Sequence, residues 1–318
     1  MTKIKNNWNV LPLRVLKRGC TVSIRIVTLV MLLCLTYMTA PPACAQNEFE
    51  SGHFKTSDGV ELHYLEAGTG PTIVFVPGWK MPAEIWESQL RHFASTHHVV
   101  ALDPRGQGRS EKTTEGHYLS RRGQDIGELI EHLGTAPAVV VGWSFGMLEL
   151  LTYAQELGTD ALRAAVLVDF YIGLDEEPGQ PHPFAPGWRD YLTNLQMDRS
   201  DWTSEWVREA LFQSDQPEEY FNDITRVILK TPTNTAVTIL SDHWLIEQRD
   251  WRPFVDELNL PVLYAVAEPF SEQAENAKAR RPDLRVEVFE GAGHALFVDQ
   301  PERFNRVLGK FLEAVPEP

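Results

Sequence analysis

One serine of the sequence stands in a context that could make it a nucleophile. Ser144 is the centre of Gly142-Trp-Ser-Phe-Gly146, which directly follows the β-branched run 138–141. A strand that turns tightly into a helix holds a serine side chain clear of the backbone, and the turn requires small residues two positions before and after the serine. The dipole of the following helix favours negative charge that develops there. A serine that merely caps a helix is the structural alternative, and the pattern favours the nucleophile.

A serine hydroxyl is a poor nucleophile without a base, and His294 is the candidate for that base. It stands in Glu290-Gly-Ala-Gly-His294, in the loop after the last predicted strand. The small residues of this loop would let the imidazole reach over the sheet edge toward Ser144. The other histidines, such as His63 and His117, have no supporting pattern, and we expect most of them at the surface.

The elements that must position these residues alternate along the chain. Short apolar runs and amphipathic stretches follow one another, which predicts a mostly parallel sheet with helices on both faces. Residues 49–56 and 60–67 flank Ser57-Asp58-Gly59, which predicts an antiparallel hairpin at the start. Further strands are predicted at 72–76, 98–102, 138–141, 164–168, 260–266 and 285–289, and helices at 83–94, 120–133, 147–157 and 301–314.

The alternation is interrupted once, between residues 170 and 252. No comparable strand run occurs there and the apolar spacing is helical, with many aromatic residues, among them Trp188, Tyr191, Trp202, Trp206, Tyr220, Phe221, Trp244 and Trp251. This pattern predicts a helical lid over the strand ends, and the same spacing is also typical of a second packing layer. We therefore predict a core of residues 46–169 and 253–318, with the lid formed by residues 170–252.

The first 45 residues have the pattern of a secretory signal peptide. Six basic residues precede the apolar run 26–37, and Ala43-Cys-Ala45 offers a cleavage site. The run is shorter than the ~20 residues of a spanning helix and ends at Pro41-Pro42. We expect cleavage after Ala45, export to the periplasm or the medium of a bacterium, and no stable membrane anchor; a retained anchor is the alternative.

The remaining 273 residues would be acidic and free of cysteine. Cys20, Cys34 and Cys44 all lie in the predicted leader, so disulfides and cysteine-based sites are excluded from the rest. Removing six of the 29 basic residues and none of the 44 acidic ones leaves a formal charge of −21. So acidic a surface disfavours nucleic acid as a partner. No metal-ligand cluster or cofactor fingerprint is visible, and we expect none to be needed; the oligomeric state stays open.

Four motifs together resemble the α/β-hydrolase superfamily, in particular its small esterases and cofactor-free haloperoxidase-like serine hydrolases. They are Val76-Pro-Gly-Trp79, Asp103-Pro-Arg-Gly-Gln-Gly-Arg-Ser110, Gly142-Trp-Ser-Phe-Gly146 and Gly291-Ala-Gly-His294. The resemblance covers about residues 53–314 and implies an eight-stranded sheet, a lid after the sixth strand, a catalytic triad and ester hydrolysis. Where the superfamily usually has His before the first of these glycines, this chain has Pro77, which predicts altered loop support rather than lost activity.

The resemblance also assigns roles to further residues. It implies an oxyanion hole formed by the backbone N–H groups of Trp79 and Phe145, and a substrate pocket that includes Trp143 and Gly78. Relatives usually place the triad acid just past the seventh strand, where this chain has Phe270, with Glu268 nearby as the available carboxylate. In other members the acid follows the sixth strand, where Asp169 stands. We favour Asp169 and keep Glu268 as the alternative.

The sequence thus predicts a serine hydrolase of carboxylic esters with small to medium, apolar or aromatic substrates. Ser at position 144 argues against the dehalogenase and epoxide-hydrolase branches, which use Asp there. Perhydrolase or haloperoxidase-like activity and lactonase activity would use the same triad and stay open. A non-catalytic ligand-binding module of this fold is the alternative from another class, and the intact serine, histidine and glycines argue against it.

Overall fold

The computed structural model describes residues 49–173, 185–242 and 249–316, without the side chains of residues 185–189. The predicted signal peptide, residues 1–45, lies outside these residues, as do residues 174–184 and 243–248 of the predicted lid. None of the helices that the described residues form combines the length and the apolar character needed to cross a bilayer.

Eight strands form one sheet in the spatial order β1-β2-β4-β3-β5-β6-β7-β8. The first two strands are joined antiparallel, β2 also pairs antiparallel with β4, and all other neighbours are parallel. The predicted mostly parallel, eight-stranded sheet is therefore confirmed. The strands are β1 Glu50–Lys55, β2 Glu61–Ala67, β3 Thr72–Val76, β4 His98–Leu102, β5 Ala138–Trp143, β6 Leu162–Val168, β7 Val262–Ala267 and β8 Arg285–Phe289.

The central strands are buried on both faces, which is why they read as unbroken apolar runs. Side chains alternate between two cores along a strand. In β3, Val74 and Val76 belong to one core, whereas Ile73 and Phe75 belong to the other. Each core is completed by helices that cover that face of the sheet. The sheet is thus a rigid layer whose strand ends hold the loops that follow them.

The first three α-helices follow β3, β4 and β5. They are α1 Glu87–Phe93, α2 Leu119–Leu133 and α3 Phe145–Leu157. A 3-10 turn at Ala83–Trp86 precedes α1, so the helix predicted at 83–94 is divided in two. Helix α2 ends where Gly134 adopts a left-handed conformation that glycine tolerates at no steric cost.

Helices dominate the chain between β6 and β7. Four of them, which we call the helical segment, are α4 Ala185–Met197, α5 Arg199–Ala210, α6 Glu218–Ile228 and α7 Thr233–Ser241. Three short helices complete the later part, α8 Arg252–Glu257, α9 Ser271–Arg280 and α10 Leu296–Asp299, before the last helix, α11 Pro301–Ala314. The helical character predicted for this region is observed in its described residues, and its action as a lid stays a prediction.

Candidate active site

Ser144 lies at a sharp kink between β5 and α3. Its φ of 55° and ψ of −122° are unusual for a residue other than glycine. The turn leaves no room for side chains beside it. A Cβ on Gly142 would lie 2.4 Å from the carbonyl oxygen of Gly146, and a Cβ on Gly146 would lie 2.4 Å from that of Val76. The two glycines are therefore required by packing, as a nucleophile elbow demands.

The Ser144 side chain is not used to cap the helix that it precedes. No side-chain cap hydrogen bond is formed at this helix N-terminus, so the alternative interpretation of the serine as an ordinary N-cap is wrong. The backbone is held instead, because the Ser144 N–H donates to the carbonyl of Val168 at 3.0 Å. The hydroxyl is left at the wall of a cavity that His294 also lines.

The imidazole of His294 is oriented by Asp169. Its Nδ1 lies 2.7 Å from Oδ2 of Asp169, whose side chain is almost fully buried. A carboxylate accepts hydrogen bonds, so this contact favours the tautomer with the proton on Nδ1. Nε2 is then left with a lone pair that can accept a proton. The half-buried imidazole and Ser144 line the same cavity, so the candidate base and the candidate nucleophile border one space.

Asp169 is fixed by the ends of two neighbouring strands. It directly follows β6, and its φ of 44° turns the chain there. Its own N–H donates to the carbonyl of Ala265 at 2.9 Å, while its Oδ1 accepts from the N–H of Ala267 at 2.6 Å. The carboxylate therefore has little freedom to rotate away from His294.

The other candidate acid lies elsewhere. Glu268 follows β7 in a 3-10 turn, Glu268–Phe270, and its side chain is exposed. It is not among the residues that line the cavity, whereas Phe270 is. The structure thus brings Asp169 to His294 and leaves Glu268 outside the site.

The cavity beside Ser144 is small and mostly aromatic. Its volume is about 210 Å³. Among the described residues of its wall, the ionisable side chains are those of His294 and Tyr191, and burial raises the pKa of the Tyr191 phenol. The wall is formed by Gly78, Trp79, Met81, Trp143, Ser144, Phe145, Phe170, Tyr191, Trp206, Ala210, Leu211, Phe270 and His294. Such a surface fits an uncharged, apolar group of modest size.

Both predicted oxyanion-hole residues lie at this cavity. Phe145 opens α3, so its backbone N–H lies at the positive end of the helix dipole. The N–H of Trp79 has no acceptor within the part of the chain that the structure describes. Gly78 lies so close to the serine that a Cβ there would be 2.9 Å from Cβ of Ser144. The loop backbone can thus approach the nucleophile only because residue 78 is glycine.

Gln107 supports that loop in the place where the superfamily's usual histidine is absent. Its side-chain amide donates to the carbonyls of Gly78 and Met81 at 3.1 and 3.0 Å, and its Oε1 accepts from the N–H of Lys80 at 3.0 Å. These three bonds join the loop after β3 to the loop after β4. They account for an ordered loop with Pro77 in place of histidine, and the sequence did not single out Gln107.

Away from the cavity, another serine, histidine and aspartate contact one another in a row. Ser51 Oγ is 2.7 Å from His63 Nε2, and His63 Nδ1 is 2.8 Å from Asp103 Oδ2. His63 is fully buried, as is most of His117, so the expectation of surface histidines is wrong for both. Ser51 lies in the exposed part of edge strand β1 without a positive φ. It lacks the kink and the cavity that distinguish Ser144.

The aromatic wall contributed by the helical segment could not be assigned from the sequence. Tyr191 of α4 and Trp206 of α5 contact each other through a 2.9 Å hydrogen bond from the indole N–H to the phenol oxygen. Their rings lie 6.4 and 5.6 Å from that of Trp79. The aromatic spacing indicated helices there, and only the tertiary contacts identify which rings face the cavity.

Residues 73–307 match the model of a family described as the alpha/beta hydrolase family. The chain belongs to this family. Among curated relatives of this α/β hydrolase, a non-heme haloperoxidase of Rhodococcus erythropolis is 24% identical in an alignment of length 274 that covers 81% of this chain and 98% of the relative. A bifunctional esterase/perhydrolase of Acinetobacter calcoaceticus is 35% identical over 120 residues, 37% of this chain and 44% of the relative.

A solved structure agrees with this assignment at the level of the fold. The bromoperoxidase of Bacillus anthracis superimposes with a TM-score of 0.75 at 21% identity, over 83% of this α/β hydrolase and all of that chain. At this identity the superposition supports a shared fold and nothing about the substrate. The family and the relatives together support a hydrolase.

Proposed function

We propose that this α/β hydrolase cleaves carboxylic esters through an acyl-enzyme on Ser144, with His294 as base and Asp169 as the residue that orients it. The observation that carries the proposal is the meeting of a kinked serine and an imidazole at one cavity, with the imidazole bonded at 2.7 Å to a buried carboxylate. A nucleophile, a base and an orienting group in this relation are the requirements for acyl transfer.

In the proposed first half-reaction, Ser144 Oγ attacks the ester carbonyl carbon while His294 Nε2 takes the hydroxyl proton. The N–H groups of Trp79 and Phe145 would bind the carbonyl oxygen as it becomes negative, and each such donor is worth ~3 kcal/mol when well aimed. The protonated imidazole then gives its proton to the alcohol oxygen as the C–O bond breaks. In the second half, His294 activates water, which releases the acid and restores Ser144.

The size and the lining of the cavity favour an uncharged substrate with a small apolar or aromatic group. A volume of about 210 Å³ lies below the ~300 Å³ at which drug-sized pockets begin. A carboxylate or ammonium in this aromatic wall would lose its hydration without gaining a lysine, arginine or carboxylate partner from the described lining residues. We therefore expect p-nitrophenyl acetate and butyrate to be hydrolysed with a higher kcat/KM than the octanoate.

Perhydrolysis is the second candidate activity. Hydrogen peroxide in place of water would attack the same acyl-enzyme and release a peracid, so no additional residue is required. The name of the Acinetobacter relative, a bifunctional esterase/perhydrolase, favours a test of this reaction. Acetate release and peracetate formation from one acyl donor, with and without peroxide, would measure the partition. Lactone hydrolysis would follow from the same steps and can be assayed in parallel.

A fluorophosphonate probe tests the proposal directly, because it reacts with an activated serine and needs no knowledge of the substrate. We expect stoichiometric labelling of the wild type and none of Ser144→Ala. Ser51→Ala is the matched control, since Ser51 contacts a buried His–Asp pair away from the cavity, and this variant should be labelled like the wild type. A folded wild type that takes up no probe and hydrolyses no ester would favour the binding module instead.

We also propose that the chain is exported and cleaved after Ala45. The support is the basic, apolar and Ala-Cys-Ala pattern of the first 45 residues. N-terminal sequencing of protein recovered from a periplasmic extract should begin at Gln46. An intact Met1 on membrane-bound protein would instead indicate a retained anchor.

A further inference from the structure

Lys80 is a lysine in a position where lysine is costly. It is fully buried, and it directly follows Trp79 in the loop after β3. Within the described part of the chain, no carboxylate oxygen lies within 4.0 Å of its amine. Burial of an ammonium group without an anionic partner is strongly unfavourable. Methionine would fill similar space without that penalty, so the presence of lysine calls for a functional reason.

The amine is enclosed by side chains of α5 and by its own neighbour. Nζ donates to Oγ1 of the buried Thr203 at 3.3 Å. It lies 4.8 Å from the ring centroid of Trp79, 5.4 Å from that of Trp202 and 5.5 Å from that of Trp206. One side chain therefore joins the loop of the proposed oxyanion hole to the helix that supplies part of the cavity wall.

The backbone at Lys80 is held in a conformation that costs energy. Its φ of 65° is in the left-handed region, which is unfavourable for a residue with a Cβ. Its N–H donates to Gln107 at 3.0 Å, and Trp79 is tied to α7 through its indole N–H, which donates to the Ala236 carbonyl at 3.0 Å. The direction of the Trp79 backbone is thus set jointly by the Lys80 contacts and by the helical segment.

The buried position of Lys80 and a neighbouring cation disfavour its protonation. Burial, with a smaller repulsion from Arg199 of α5, lowers the pKa of the amine to about 7. The guanidinium of Arg199 donates to the carbonyls of Leu229 and Thr231. Tyr191, which packs on the same indoles, brings no negative charge at neutral pH, since a phenol is ordinarily protonated there and burial raises the pKa of Tyr191 further. Among the described residues, a proton added to Lys80 would meet a second cation, Arg199, and no carboxylate within 4.0 Å.

We propose that Lys80 is a positioning residue whose uncharged amine holds α5 against the loop that carries the Trp79 N–H, and whose protonation loosens that contact. The inference rests on the proposed function only where turnover is the readout. Protonation would then change both the position of Trp206 in the cavity wall and the direction in which the Trp79 N–H points. Activity below neutral pH would depend on Lys80 in addition to the base.

Lys80→Met tests the proposal by steady-state kinetics on p-nitrophenyl acetate across pH. We expect kcat to fall about tenfold at pH 8 with KM changed less than threefold, because a transition-state contact is affected. As pH falls through about 7, kcat/KM of the wild type should show an additional loss of up to about tenfold that Lys80→Met lacks, because protonation loosens the same contact that the substitution removes. Lys278→Met, which removes an exposed lysine of α9, should match the wild type in both.

A readout independent of turnover separates this inference from the proposed function. In a His294→Gln background, tryptophan emission should change with a midpoint near pH 7, and Lys80→Met in the same background should abolish that change. Thr203→Val, which keeps the lysine, should retain the emission change and lower kcat about two- to fivefold. Unaltered kinetics in both variants, or an emission change that persists without Lys80, would overturn the role of Lys80 even if ester hydrolysis is established.

Discussion

The indole N–H of Trp143 donates a 2.8 Å hydrogen bond to the backbone carbonyl of His294. The residue before the proposed nucleophile thus holds the loop that carries the proposed base, across 151 positions of sequence. The two rings also lie 5.2 Å apart. Because Trp143 belongs to β5, this hydrogen bond fixes the position of the His294 loop relative to the centre of the sheet, in addition to the attachment of the loop to β8.

Trp143→Phe should therefore lower kcat by about tenfold, because even a 1 Å displacement of a catalytic group is costly. The matched control is Trp251→Phe. Both tryptophans are almost fully buried, but the indole nitrogen of Trp251 has no hydrogen-bond partner in the described chain. Both variants lose a similar volume, so their thermal stabilities should fall alike while only Trp143→Phe loses activity. Equal kcat values for the two variants would contradict a positioning role of the hydrogen bond.

Asp169→Asn should reduce kcat by about 10³- to 10⁴-fold, because an amide can hold the imidazole in the wrong tautomer and does not stabilise its cationic form. Glu268→Gln removes the other candidate carboxylate, which is exposed to solvent, and should leave kcat within about twofold. Circular dichroism of both variants would establish that they are folded. A larger loss in Glu268→Gln than in Asp169→Asn would reverse the assignment of the acid.

Gly146→Ala tests the tight turn. The added Cβ would lie 2.4 Å from the Val76 carbonyl oxygen and 2.8 Å from that of Pro77, so the end of β3 or the elbow must move. We expect a loss of ~3 kcal/mol in the free energy of unfolding and nearly complete loss of activity. Gly309→Ala in α11 is the control, since its Cβ would meet only a Phe93 ring atom at 3.9 Å. That change should stabilise the protein by up to ~1 kcal/mol.

The elements of the sheet could be predicted closely, because periodicity and burial act locally. Helix α11 was predicted at its observed bounds, residues 301–314, and β3 at 72–76. The helix predicted at 83–94 is correct only in part, since its first turn is 3-10. Apolar spacing does not distinguish the two helix types over one turn.

The acid and the positioning lysine illustrate what the sequence could not decide. Asp169 and Glu268 each follow a strand directly, and the difference between them is the positive φ at residue 169 together with the contact to His294. The environment of Lys80 depends on Thr203, which is 123 positions away. The Asp169–His294 and Lys80–Thr203 contacts join residues that are far apart in the sequence, so no local sequence pattern predicts them.

The lowered pKa of Lys80 also makes the stability of the protein depend on pH. Its value of about 7 in the folded protein, against 10.5 ordinarily, means that the unfolded chain binds more protons between pH 7 and 10.5. The free energy of unfolding therefore rises with pH through this window. Below pH 7 the buried lysine is charged and destabilises the folded protein to its full extent. Lys80→Met removes that cost. It should raise Tm most at pH 6, by at least about 5 °C more than at pH 10.

Comparison of the two proteins at each pH cancels the titration of the groups they share, which leaves the lysine. Lys278→Met should show no such pH-dependent difference, because its side chain is exposed. A Tm difference between wild type and Lys80→Met that is the same at pH 6 and pH 10 would mean that the amine stays in one protonation state when buried. The expected result is a Lys80→Met enzyme that is more stable but slower. It would indicate that the lysine lowers the stability of the fold while it supports activity through the cavity wall and the Trp79 loop.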